Sequence, residues 1–154
     1  MQKPVLAFLG AMVLLCSNTW AQSRIDPAAA TFGKALSQVM NSRNADQGIA
    51  LLSPDAALVD PFGKLSTGKQ AERDFFELAF KLNPNATFAF KPVASHINGN
   101  TMWLLATAAW TPSGNTAGAK PVETHVAYVL VRQGKAWKVQ MLSVGFNGQP
   151  PIGR

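Results

Sequence analysis

The sequence predicts an α+β domain, with helices first and an antiparallel sheet after them. Up to residue 82, apolar residues recur at helical spacing, with capping and stop signals between them. From Ala86 onward the period changes to two, and turn residues separate runs of strand length. Composition agrees with a single packed core. Of 154 residues, 47% are apolar and only 14% are charged, which excludes a charge-rich disordered chain.

Residues 1–21 read as a secretory leader, so the predicted domain is 22–154. Lys3 supplies the positive start, and residues 5–15 form an apolar run too short to span a bilayer. Thr19-Trp20-Ala21 places a small residue at each position that signal peptidase reads, so cleavage is expected after Ala21. The bulky Leu15 directly before Cys16 fits a lipoprotein site poorly. The expected location is the periplasm or the medium, with no membrane contact after cleavage. Cys16, the one cysteine, leaves with the leader, which excludes a disulfide scaffold and multi-cysteine metal centres. The 14 Lys and Arg against 8 Asp and Glu are scattered, without a run or interleaved aromatics, so no nucleic-acid partner is expected.

Each element has a local reason. Asp26-Pro27 is an N-cap followed by proline at the first helical position, and Phe32, Leu36, Val39 and Met40 then mark one apolar face. After a polar break at residues 41–45, Asp46 can cap a short second helix carrying Ile49, Leu51 and Leu52, ended by Ser53-Pro54. Residues 56–60 read as a short strand, and Asp60-Pro61-Phe62-Gly63 as a turn. Thr67-Gly68-Lys69-Gln70 reads as a capping box for a third helix that buries Ala71, Phe75, Leu78, Ala79 and Leu82 and stops at Asn83-Pro84-Asn85. The strands are then an alternating run through Phe88 and Phe90, a hairpin at Asn98-Gly99, and residues 101–111, 122–132 and 136–146. A loop over residues 112–121 and a loose tail over 147–154 complete the chain.

The strand over residues 101–111 is apolar on both faces. Met102, Leu104, Ala106, Ala108 and Trp110 share one face, and Trp103, Leu105, Thr107 and Ala109 the other. One face can pack on the helices. The other needs a cover, and a homodimer through the back of the sheet would supply it. A sheet curled tightly enough to bury both faces in one chain is the alternative.

The order helix, helix, short strand, helix, long meander resembles the cone fold of nuclear transport factor 2-like proteins, a curved antiparallel sheet packed against three N-terminal helices. The stretch from Leu51 through Asp60-Pro61-Phe62-Gly63 is similar to the SnoaL-like and ketosteroid isomerase-like branches. Gly68 and the closing Gly134-Lys135-Ala136-Trp137-Lys138-Val139 match as well, so the resemblance runs over residues 28–146. This superfold hosts isomerases, dehydratases, hydrolases and pure binding proteins.

The resemblance implies that Asp60 is a general base moving a proton beside a carbonyl. A carboxylate at a strand end, with Leu58 on the same side, would face the apolar cone, where desolvation makes it a better base. The competing reading is an Asp that starts a turn before proline. The family's oxyanion hole uses a first-helix Tyr and a protonated Asp. Here Leu36 falls at the Tyr position, so efficient steroid isomerisation is not implied. Tyr128, the only Tyr, falls near the second acid and could donate to a carbonyl; a packing role in a strand pair is the favoured reading. His125 has the opposite strand parity, so only one of the two can point into the cone.

His96 lies by a turn and reads as exposed. Two His without a carboxylate cluster make a poor metal site, and no motif calls for a cofactor. The candidate pocket wall is aromatic and apolar: Phe62, Phe75, Phe88 and Trp103 or Trp110, with Phe32, Leu36, Phe76, Phe90 and Met141 around them. The resulting expectation is an exported SnoaL-like protein that binds a small hydrophobic molecule. Catalysis of the isomerase or dehydratase type would use Asp60 with Tyr128 or His125. The alternative is a non-catalytic ligand-binding or dimerisation module.

Overall fold

The computed structural model describes residues 25–82, 84–111 and 121–146. The expected leader and tail, and most of the expected loop over residues 112–121, lie outside the described residues. Helix α1 (Pro27–Ser42) opens as the sequence predicts, with the Asp26 carboxylate accepting the Ala28 N–H at 2.7 Å. Arg43 then takes a left-handed conformation at φ 54° and ends the helix. Helix α2 (Ala45–Ala50) is capped by Asn44, whose side chain accepts the Gln47 N–H at 3.1 Å. The expected cap, Asp46, instead lies in the first turn and pairs with Arg73.

Strand β1 (Leu52–Val59) starts earlier than expected. Leu52, Ser53 and Pro54 belong to it rather than to the second helix. The register shift between Leu52 and Ala57 frees this stretch from a regular ladder, so a proline without an N–H is tolerated there. The turn at Asp60 leads into a strand that the sequence reading missed, β2 (Leu65–Thr67). Helix α3 (Lys69–Leu82) follows, without the expected capping box. Thr67 stays in β2, paired with Ala57, and the Gln70 amide donates to Asp74 rather than turning back to Thr67.

The buried face of α3 is Glu72, Phe76 and Phe80, and Leu78 is exposed. The helix is thus rolled by about one residue from its predicted face. Phe76 sets this roll by packing on α2, where a Cβ on Gly48 would come within 2.9 Å of its ring. Gly48 is therefore what allows the two helices to approach.

The remaining strands are β3 (Thr87–Asn98), β4 (Thr101–Thr111), β5 (Val122–Gln133) and β6 (Ala136–Phe146). The sheet is curved and unclosed, in the order β2-β1-β6-β5-β4-β3. It is mixed rather than purely antiparallel, because β1 runs parallel to β6. Register shifts at Pro92/Ala94 in β3 and at Val129/Leu130 in β5 bend it around the helices. Helix α1 covers the free edge of β3. The Asn41 side chain accepts from the Phe88 N–H and donates to the Phe88 carbonyl, both at 2.8 Å, as a neighbouring strand would. Ser37 accepts from the Phe90 N–H at 3.0 Å, and Ser95 from the Asp26 N–H at 2.9 Å.

Candidate functional site

Strand parity decides which side chains meet the helices. In β4, Met102, Leu104, Ala106 and Ala108 are buried, and in β5, Thr124, Val126, Tyr128 and Leu130. Between this inner face and the helices lies an apolar cavity of about 100 Å³. Leu36 and Met40 of α1 and Phe75 and Phe76 of α3 wall one side. Phe88, Phe90, Trp110, Val126, Tyr128 and Leu142 are prominent on the sheet side. A dry cavity of roughly 150 Å³ holds benzene. A space of this size suits a small molecule and excludes a steroid nucleus.

The cavity has few polar groups. The Thr124 hydroxyl is used, donating to the Ala108 carbonyl at 3.2 Å. The Tyr128 hydroxyl makes no hydrogen bond to a described residue, and burial pushes its pKa up, so it stays a neutral donor. Phe32, itself buried, meets the Tyr128 ring edge-on at 5.6 Å and fixes its position. Phe32 therefore supports the cavity from behind rather than lining it.

Asp60 does not share this cavity. It lines a separate cleft of about 180 Å³ with Leu58, Lys64, Ser66, Asp74 and Phe75. Leu58 lies on its side, and the lining is mixed: Ala71, Phe75 and Leu78 are apolar, whereas Lys64, Ser66 and Asp74 bring polar groups to the carboxylate. The Asp60 carboxylate Oδ1 accepts the N–H groups of Phe62 at 2.8 Å and Lys64 at 2.9 Å. With Gly63 at φ 83°, these bonds close the turn. The geometry is that of the turn-forming Asp, not of a base desolvated in the cone.

Strand parity also separates the two other candidates. Tyr128 faces the cavity. His125 is exposed on the outer face, in a groove with Val93, Leu105, Thr107 and Ser143. Of the expected wall, Phe75, Phe88 and Trp110 line the cavity, and Phe62, Trp103 and Met141 do not. Phe62 is 72% exposed at the turn and touches Phe146, with ring centres 5.7 Å apart. Trp103 and Met141 fall on the outer face through strand parity and are exposed. Among the described residues, no group of three His, Cys, Asp or Glu lies together to hold a metal.

The sequence reading missed Glu72. It is 1% exposed, its Oε1 has no hydrogen-bond partner, and burial pushes its pKa up to about 7. It sits one helical turn before Phe75 and Phe76, so an ionisable group underlies the helix that walls the cavity. The available signal was the Phe76–Phe80 pair at i, i+4. These rings stack with centres 6.0 Å apart, and extending their face back one turn reaches Glu72.

A bent sheet wrapped around an apolar cavity, with helices closing the inner face, defines a protein of the nuclear transport factor 2-like fold. The SnoaL-like domain model matches residues 34–139, more than half of the chain, and the chain belongs to that family. Solved structures agree on the fold. A ketosteroid isomerase-like protein from Erwinia carotovora atroseptica superposes with a TM-score of 0.64 at 12% identity, over 79% of this chain and 95% of that one. A domain of unknown function with a cystatin-like fold from Nostoc punctiforme gives 0.68 at 13% identity, over 82% and 81%. A second Nostoc punctiforme protein with a cystatin-like fold gives 0.69 at 10% identity, over 82% and 93%. No curated protein matches the chain in sequence.

Proposed function

We propose that this SnoaL-like protein binds a small apolar molecule in the cavity between sheet and helices, with a carbonyl or ether oxygen of the ligand accepting from Tyr128. The observation that carries this reading is an apolar chamber between sheet and helices whose wall includes the Tyr128 phenol, a donor with no hydrogen bond to a described residue. A donor at the wall of an apolar chamber gives a ligand oxygen one directional contact, which fixes its orientation. Benzene, titrated while the amide resonances of Phe88, Trp110 and Tyr128 are followed, tests the chamber. Saturable shifts at these positions are the expected result, and their absence at millimolar benzene would remove the reading.

A second reading is an isomerase or dehydratase in which Asp60 removes a proton beside a carbonyl. It is favoured by the Asp60-Pro61-Phe62-Gly63 motif and by the closeness of the two chambers, which share the Phe75 side chain. The separation of the Asp60 cleft from the cavity that Tyr128 lines, and the use of Asp60 Oδ1 in the turn, favour binding over catalysis. Turnover that disappears in Asp60→Asn would reverse this ranking.

Two further proposals accompany the binding reading. Residues 1–21 direct export, and N-terminal sequencing of the exported form should begin at Gln22. The outer face of the sheet is the contact of a homodimer, as exposed Val93, Trp103, Leu105 and Met141 suggest.

A further inference from the structure

We propose that the apolar cavity and the Asp60 cleft are the two halves of one binding site, parted by the Phe75 ring. The ligand class is an elongated molecule with an apolar body and a protonated amine head. This rests on the binding reading above and adds the far end of the ligand and the residue that admits it.

Phe75 is the residue that the two chambers have in common. It is half-buried, and its ring meets that of Phe76 edge-on with centres 6.0 Å apart. Rotation of a partly exposed side chain between staggered wells is fast and breaks no hydrogen bond here. Size supports a joined site. The cavity alone is about 100 Å³ and the cleft about 180 Å³. Together they approach the roughly 300 Å³ at which small-molecule pockets begin.

The chemistry of the two ends differs. The cavity offers apolar walls and the Tyr128 donor. The cleft holds the carboxylates of Asp60 and Asp74 against the single ammonium of Lys64. Both backbone N–H groups at Asp60 bond to Oδ1, which leaves Oδ2 able to accept. Asp74 likewise takes the Gln70 amide on Oδ1 at 2.8 Å and keeps Oδ2. Two acceptors with an excess of negative charge select a cationic, hydrogen-donating head over a carboxylate. The turn-forming role of Asp60 is then compatible with ligand binding, since one oxygen serves each.

Calorimetric titration with n-octylamine, n-octanoate and benzene tests the site on the whole protein. Octylamine should bind about tenfold or more tightly than octanoate. Asp74→Asn, on an exposed stretch of α3, should weaken octylamine about fivefold and leave benzene unchanged. Phe75→Trp should obstruct octylamine and leave melting behaviour near wild type, whereas Phe75→Ala should strengthen it. Equal binding of octylamine and octanoate, or wild-type octylamine binding in Phe75→Trp, would overturn the proposal. Benzene that binds while octylamine shows neither preference leaves the cavity reading intact and removes only the joined site. Absence of benzene binding removes the cavity reading itself.

Discussion

Glu72 should contribute a stabilising term that is lost as pH rises. Its carboxyl is buried without a partner for Oε1, and its pKa moves from 4.5 to about 7. The folded state therefore holds this proton more tightly than the unfolded chain. The stabilising term is fully present below pH 4.5, is lost as pH rises through about 7, and stays lost above it. At roughly 1.4 kcal/mol per tenfold change in proton affinity, the gap corresponds to about 3 kcal/mol. The groups on the elements packed against α3 do not pair with it. Asp46 of α2 and Asp55 of β1 are exposed, as is Lys64 before β2, and Asp60 is occupied in its turn.

Replacing Glu72 by Gln keeps the shape and removes the ionisation. Urea denaturation of both proteins at pH 4, 6 and 8 isolates the effect, because all other groups titrate alike in the pair. The two should differ little with pH below 4.5. By pH 8 the Glu72→Gln protein should have gained up to about 3 kcal/mol on the wild type, on the order of 10 °C in melting temperature. Glu72→Leu should behave similarly, which controls for the residual polarity of Gln. A difference between wild type and variant that stays constant from pH 4 to 8 would refute the reasoning.

Three other outcomes are expected. Asp60→Asn should lose about 0.5–2 kcal/mol near neutral pH, read from denaturation curves, because an amide keeps only part of the turn's hydrogen bonding; a stabilised variant would return Asp60 to an unfavourable apolar setting. Asn41→Ala should cost about 1–3 kcal/mol through the two Phe88 backbone bonds, with faster hydrogen exchange at the Phe88 amide as the local signature. Leu105→Glu, on the outer face, should give a monomer by light scattering where wild type gives twice the chain mass; a wild-type monomer at high concentration would dispose of the dimer.

Features that depend on a few neighbouring residues were legible in the sequence. The Asp26-Pro27 start of α1 and the limits of β4 and β6 follow from capping and period-two patterning, and the hairpin at Asn98-Gly99 from turn chemistry. So did the separation of Tyr128 from His125, because alternation along a strand is local geometry. The motif around Asp60 gave the family, since it lies in contiguous residues.

What depends on partners distant in the chain was not legible. The parallel pairing of β1 with β6 decides that Leu52 to Pro54 are strand, and no local signal carries that contact. The packing of Phe76 on Gly48 rolls α3 and buries Glu72, against the apolar stripe that the sequence suggested. Which side of β4 faces the helices was equally open, because both sides are apolar. The tertiary structure chose Trp110 for the cavity and left Trp103 outside. The turn at Asp60, by contrast, is local and was one of the two readings that the sequence offered. The motif places a carboxylate at the end of β1, but the backbone of the next four residues folds back and claims one of its oxygens. Sequence thus determined the family and those elements that short-range propensity and period define. The faces, the cavity and the burial of a lone acid were decided only when distant elements packed together.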